Sequence, residues 1–365
     1  MNDRRLPFLL DLPARCRPWM LTPLAGAFGG CLAQLMGWPL PWLLGALLGV
    51  AAIRCLGCPT EPMPLGLKAG QWILGIGIGL YFNAAVLEQI LDHLGLVLVG
   101  TLLALLTSLV SIALHRRFGE SRATAYFASM PGGASEMVNL GRLHGAELQQ
   151  VAASQSLRML LVLLGIPAVY AWLFADGQVA VGARPEPHAA WLLLLFALGG
   201  LAALLLQYRR FANAWQIGPL LVSSVCSVAF DLHIGLPAGV GEFGQWLVGC
   251  TLGCFFSRAF FSRASAFMLR TALATLSTIL LCIPIALLMS WASGLDARTL
   301  LLGMVPAGIA EMSLTAEALG LAVPLVTAMQ MLRLLLVLFL AGPMFLCWRR
   351  CVGIWQEPAG AGGGA

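Results

Sequence analysis

Charge is what this chain has least of. Asp, Glu, Lys and Arg together make up 10% of its 365 residues, against roughly 25% in a typical globular domain. So few charges cannot clothe a water-facing surface of this size, which excludes a soluble enzyme, a secreted disulfide scaffold and a nucleic-acid-binding domain. The 21 basic residues are scattered in small clusters rather than gathered in a patch, so the net charge of +5 is no nucleic-acid footprint. Short alternating segments are missing too, which argues against outer-membrane strands. The five histidines (His93, His115, His144, His188 and His233) neither cluster nor recur, and no zinc spacing accompanies the lone pair Cys55 and Cys58. Ser-His-Asp, HExxH and Walker spacings are absent. No catalytic residue, metal or cofactor is therefore expected. The proline-broken stretch from Leu6 to Leu12 is too short for a cleavable signal, so Arg4, Arg5, Arg15 and Arg17 read as a cytoplasmic anchor.

What is present is apolar and long. Hydrophobic residues reach 59% and the mean hydropathy is +0.88, the composition of an all-α membrane protein with many spans. About 20 residues cross a bilayer core of about 30 Å. Apolar runs near 19–37, 40–57, 70–87, 94–114 and 150–175, and again near 190–207, 216–235, 244–262, 268–291 and 323–347, predict about ten spans.

The chain is also written twice. Pro131-Gly132-Gly133-Ala134-Ser135-Glu136-Met137 returns 175 residues later as Pro306-Ala307-Gly308-Ile309-Ala310-Glu311-Met312. At the same offset Gly145 meets Gly320, Gln155 meets Gln330 and Arg158 meets Arg333. Gly70-Gln71-Trp72 returns as Gly244-Gln245-Trp246, and Trp42 with Gly45 as Trp215 with Gly218. The organisation that follows is a cytoplasmic segment at 1–18, membrane repeats at 19–175 and 190–348, a periplasmic linker at 176–189 and a cytoplasmic Gly-rich tail at 349–365.

Basic residues orient the spans. With the N-terminus in the cytoplasm and each Pro-Gly segment (121–146 and 299–320) entering and leaving by one face, 16 of the 21 Lys and Arg fall on the cytoplasmic side. Five spans per half make the second half inverted. The expectation is two inverted five-helix repeats, each with a broken or re-entrant helix, in a bacterial inner membrane with both termini cytoplasmic.

Proline and glycine at a helix break free backbone groups that cost several kcal/mol each in hydrocarbon unless they are satisfied. Such breaks belong where something polar is held. The candidate substrate or ion site is therefore Pro131, Gly132, Gly133, Ser135, Glu136, Gln155 and Arg158, with Pro306, Gly308, Glu311, Gln330 and Arg333. Arg158 and Arg333 lie about 15 Å into their helices, where an arginine should be paired. The two Glu and two Arg then form a neutral quartet that either pins the halves together or holds a solute. Gln71 and Gln245 are either interhelical glue or part of the lining. Gly75 with Gly79, and Gly249 with Gly253, read as helix-packing faces.

The duplicated P-[GA]-G-x-x-E-M block, the Q-x-x-[LR]-R that follows and the G-Q-W block before it resemble the bacterial AbrB-type membrane proteins with an internal duplication. The resemblance spans roughly residues 20–348. It implies the two-fold membrane architecture and brings two labels, regulator of gene expression and ammonia monooxygenase. Ala307 departs from the pattern where a second glycine is expected, which predicts a second break less open than the first.

Three functions follow in order: a secondary transporter of a small polar or anionic solute, a membrane regulator acting indirectly on gene expression, and a membrane oxygenase. The expected partners are the lipid bilayer, the solute and protons carried by Glu136 or Glu311. No direct nucleic-acid contact is expected, and a homo-oligomer is compatible with the sequence.

Overall fold

A computed structural model describes residues 20–38, 40–173, 186–258, 260 and 265–353. The N-terminal segment 1–18, residues 176–185 of the expected periplasmic linker and residues 354–365 of the tail lie outside them. Every described element is a helix, and no strand occurs among the described residues. The protein divides into two compact units, each drawing elements from both sequence repeats.

The first unit, residues 1–83, 181–209 and 214–263, holds α1 (Leu21–Leu35), α2 (Pro41–Cys55), α3 (Gly66–Gly79), α9 (Ala189–Tyr208), α10 (Ala214–Phe230) and α11 (Val240–Gly253). Glycine lets its backbones touch. A Cβ on Gly75 would stand 2.7 Å from the Gln216 carbonyl of α10, and one on Gly253 would stand 2.6 Å from the Leu47 carbonyl of α2. The Gly75/Gly79 face packs on α10 and the Gly249/Gly253 face on α2. Both are helix-packing faces in the small-residue manner of membrane bundles.

Three expected spans end early here. The apolar run near 70–87 stops being α3 at Gly79 and resumes as the separate α4 (Ala84–Asp92); the run near 244–262 leaves α11 at Gly253. Glycine at 75, 77 and 79 lowers helix propensity by about 1 kcal/mol per residue, so the helix yields where packing against a neighbour ends. The run near 216–235 likewise ends at Phe230, because Asp231 adopts a left-handed conformation (φ 49°) and Leu232 N–H closes on the Ser227 carbonyl at 3.0 Å.

The second unit, residues 84–180, 210–213 and 264–365, holds α4, α5 (Leu94–Arg117), α6 (Arg122–Ser129), α7 (Ala134–Leu143), α8 (Leu148–Leu173), α12 (Ser265–Ser293), α13 (Ala297–Met304), α14 (Ile309–Ala318) and α15 (Val323–Gly353). One apolar cluster packs Tyr126, Phe127, Met137 and Val151 against Val337, Ala341 and Phe345 of α15. The other packs Leu300 and Met304 against Ala104, Cys282 and Met329.

Five described helices are long and apolar enough to cross a membrane: α5, α8, α9, α12 and α15. Their outer faces agree. Leu98, Leu102, Leu106 and Leu109 run exposed along α5, and Leu269, Leu273, Leu276 and Leu280 along α12. Leucine rows of this length on a water-facing protein would be aggregation sites; against hydrocarbon chains they are solvated. The helices α1, α2, α3, α10 and α11 have 14 to 17 residues, or about 21–26 Å at 1.5 Å each, short of the full core thickness.

Candidate functional site

Both Pro-Gly segments are helix, break, helix, and they belong to the second unit. α6 runs to Ser129 and α7 restarts at Ala134; α13 runs to Met304 and α14 restarts at Ile309. The two are built alike down to their caps. Ser121 accepts the Thr124 N–H at 3.1 Å, and Asp296 accepts the Thr299 N–H at 3.2 Å. Gly145 (φ 73°) and Gly320 (φ 63°) take the left-handed conformation just beyond α7 and α14, which explains why glycine recurs at that offset.

The breaks follow from proline. Pro131 has no N–H to give the Phe127 carbonyl four residues back, and Pro306 has none for Leu302. Gln155, from α8, supplies what is missing: its Nε2 donates to the Phe127 carbonyl at 2.9 Å and the Met130 carbonyl at 3.0 Å. Gln330, from α15, does the same for Leu302 at 2.9 Å and Val305 at 3.0 Å. Each arginine sits one turn on and adds to this grip. Arg158 Nη1 donates to the Met130 carbonyl at 3.1 Å and Nη2 to Gln155 Oε1 at 2.6 Å. Arg333 Nη1 donates to the Val305 carbonyl at 2.7 Å, and its Nη2 to the Ala307 carbonyl and to Gln330 Oε1, both at 2.5 Å.

The neutral Glu–Arg quartet does not form. Among the described residues no ion pair joins Glu136 or Glu311 to Arg158 or Arg333. The reason is that each charge sits at a helix end. The arginines lie against the last carbonyls of α6 and α13, the negative ends. Glu136 and Glu311 occupy the third position of α7 and α14, the positive ends. Each glutamate folds back over its own cap glycine, since a Cβ on Gly133 would collide with the Glu136 carboxylate and one on Gly308 with that of Glu311. Each carboxylate therefore occupies the space that a cap side chain would fill. Glu311 is buried, Glu136 half-buried.

Other expected residues fall as follows. Pro131 and Pro306 both line a single recess, described below. A Cβ on Gly132 would stand 2.8 Å from both Met137 and Val337, so glycine there is a packing requirement. Ser135 lies in the first turn of α7, but its side chain falls outside the described residues. Gln71 and Gln245 are half-buried in α3 and α11 and belong to the first unit, not to the one that carries the breaks. Among the described residues no three His, Cys, Asp or Glu side chains are grouped as metal ligands.

The sequence reading missed the recess. It is a narrow, partly open recess with about 10 Å³ of free space, and is lined by Ala104, Ser108 and Ser111 of α5, by Thr271, Thr275 and Thr278 of α12, and by Ser129, Ser154 and Arg158 beside the two prolines. Each long helix contributes residues at i, i+4 and i+7, one face. That spacing of hydroxyls in two apolar helices was legible as a polar stripe. Its meaning was not, because hydroxyls in membrane helices also bond their own backbone, as Ser108 does to Leu105 at 2.6 Å.

An all-helical, apolar protein with membrane-length helices and paired Pro-Gly breaks is an integral membrane protein of duplicated design. The chain belongs to the AbrB family, described as transition state regulatory protein AbrB, which it matches over residues 42–349. It is 26% identical over 345 residues to "Uncharacterized protein YhjN" of Bacillus subtilis, covering 87% of this chain and 90% of that one. It is also 26% identical over 313 residues to "Putative regulator AbrB" of Escherichia coli, covering 84% and 88%.

Proposed function

We propose that this protein is a secondary transporter of a small anionic solute in a bacterial inner membrane, arranged as two inverted repeats of about five spans with both termini cytoplasmic. One observation carries the reading. Both breaks are held open by glutamine and arginine side chains, and a guanidinium faces a recess lined by hydroxyls. Packing alone asks for none of this, since an unbroken apolar helix needs no buried cation. Interrupted helices in duplicated membrane proteins are the usual way of exposing backbone charge to a solute. The reading needs no covalent step, metal or cofactor, so under it the protein acts as a carrier and not as an enzyme or oxygenase. Its partners are lipid, the solute and protons. Glu311, buried at the start of α14 with no cationic partner among the described residues, is the proposed proton carrier.

The test is solute flux in proteoliposomes holding the purified chain. Uptake of a small organic anion driven by a pH gradient, with the gradient dependence lost in Glu311→Gln, is the expected result. Uptake that a protonophore leaves untouched removes the proton role; no flux of any anion removes transport. The name of the Escherichia coli relative supports the second reading, a membrane regulator acting indirectly on gene expression. That reading predicts altered transcript levels on deletion with no flux in liposomes.

A further inference from the structure

The two breaks share a fold but not a chemistry. Arg333 is 3% exposed and does not line the recess; bonds to two carbonyls and Gln330 hold its two terminal nitrogens, and its buried Nε, left without a partner among the described residues, has no recess beside it. Arg158 has the corresponding bonds to Met130 and Gln155 only. Among the described residues, no bond from Arg158 to the Gly132 carbonyl, the counterpart of Ala307, is formed. Of the five N–H groups of a guanidinium, Arg158 therefore has more left to donate, and it borders the recess.

The hydroxyls around it point the same way. Ser129 is 7% and Thr271 2% exposed, both line the recess, and neither hydroxyl oxygen has a hydrogen-bond partner among the described residues. A buried hydroxyl without a partner costs about 1–3 kcal/mol. Two of them in one recess with the Arg158 guanidinium make a set of waiting donors. No carboxylate lines the recess. The lining holds one cation, so a single negative charge is matched and a second is not. The free space is only about 10 Å³, room for about one water-sized group, so the recess takes the head group of a ligand and not its body.

Resting on the transport reading, we propose that the recess at the first break binds a small monocarboxylate, taken by the Arg158 fork and the Ser129 and Thr271 hydroxyls. The second break is its structural counterpart and holds no ligand. A planar carboxylate matches the guanidinium fork as a spherical anion does not.

The experiment measures thermal unfolding of the full chain in detergent against sodium acetate, sodium chloride and sodium sulfate at matched ionic strength. Acetate is expected to raise the unfolding temperature saturably, in the parent and in Ser313→Ala, a change at a hydroxyl pair (Ser313 with Thr327, 2.7 Å) of the second half. The double variant Ser129→Ala with Thr271→Val removes two unpartnered hydroxyls. It should be as stable as the parent or more so without acetate, and its apparent acetate affinity should fall about tenfold or more. Equal effects of chloride, or an effect of sulfate only, would overturn the carboxylate. An undiminished acetate effect in the double variant would overturn the site. Acetate binding that needs Ser129 and Thr271, without flux, keeps the site and removes transport. Flux of a carboxylate that the double variant leaves unchanged keeps transport and removes the site.

Discussion

At the scale of single residues, the repeated polar positions serve the backbone first. Gln155 and Gln330 each satisfy two carbonyls that a proline or a helix end leaves open. Replacing either by leucine strands the Phe127 or Leu302 carbonyl and removes an acceptor from the neighbouring arginine, while the Met130 and Val305 carbonyls keep their arginine and N–H donors. The expected loss is about 2–5 kcal/mol for each, from penalties of about 1–3 kcal/mol per stranded buried group, measurable as a lowered midpoint in detergent unfolding. Similar losses in the two halves are expected because the geometry repeats at offset 175. Gly308 is a second case. Its Cβ would collide with the Glu311 carboxylate, so Gly308→Ala should destabilise, and Glu311→Ala in the same chain should recover part of the loss. A double-mutant cycle with no coupling between the two positions would contradict the fold-back of Glu311 over Gly308.

At the scale of helices, close packing and caps make separate demands. Gly75→Ala and Gly253→Ala each drive a methyl group into a facing carbonyl, at 2.7 Å and 2.6 Å, and should cost about 1–3 kcal/mol. Gly165 in α8 meets nothing within 4 Å, so Gly165→Ala should stabilise by about 0.5–1 kcal/mol through helix propensity. The caps of α6 and α13 differ in a way that pH reports. At Asp296, burial works to raise the carboxyl, but hydrogen bonds from Arg298 and Thr299 outweigh it and hold the group below the ordinary carboxylate value. A depressed acid stabilises the fold above its ordinary titration range and loses that contribution as pH falls through the lowered value. The side chain is exposed enough for solvent to screen the effect, so it should be small. Asp296→Asn keeps a cap and should remove the acid-side dependence. Ser121, the counterpart in the first half, has no titration to lose.

At the scale of the whole molecule, sequence repeat and compact unit are different partitions. The repeats divide the chain near its middle, whereas each unit collects α-helices from both halves. The proposed inversion is tested by orientation. Single cysteines at Ala183 and Gly353, in an otherwise Cys-free protein, are expected to label from the periplasm and the cytoplasm respectively. Labelling of both from one side would contradict five spans per half. Composition, repeat and punctuation by proline and glycine were enough to determine a helical membrane protein, its duplication and the places where helices break, because each depends on local chemistry or on the solvent alone. Ten continuous runs of hydropathy were not ten equal helices. Whether a glycine-rich run stays helical past Gly79 or Gly253 is settled by the neighbour it packs on. The partners of Arg158, Arg333, Glu136 and Glu311 were likewise a tertiary matter. Opposite charges on one motif suggested ion pairs, but the carbonyls at the ends of α6 and α13 lay closer to the arginines than any carboxylate did. Only folding could also bring the Ser and Thr faces of α5 and α12, 160 residues apart in sequence (Ser111 and Thr271), onto one recess beside Arg158.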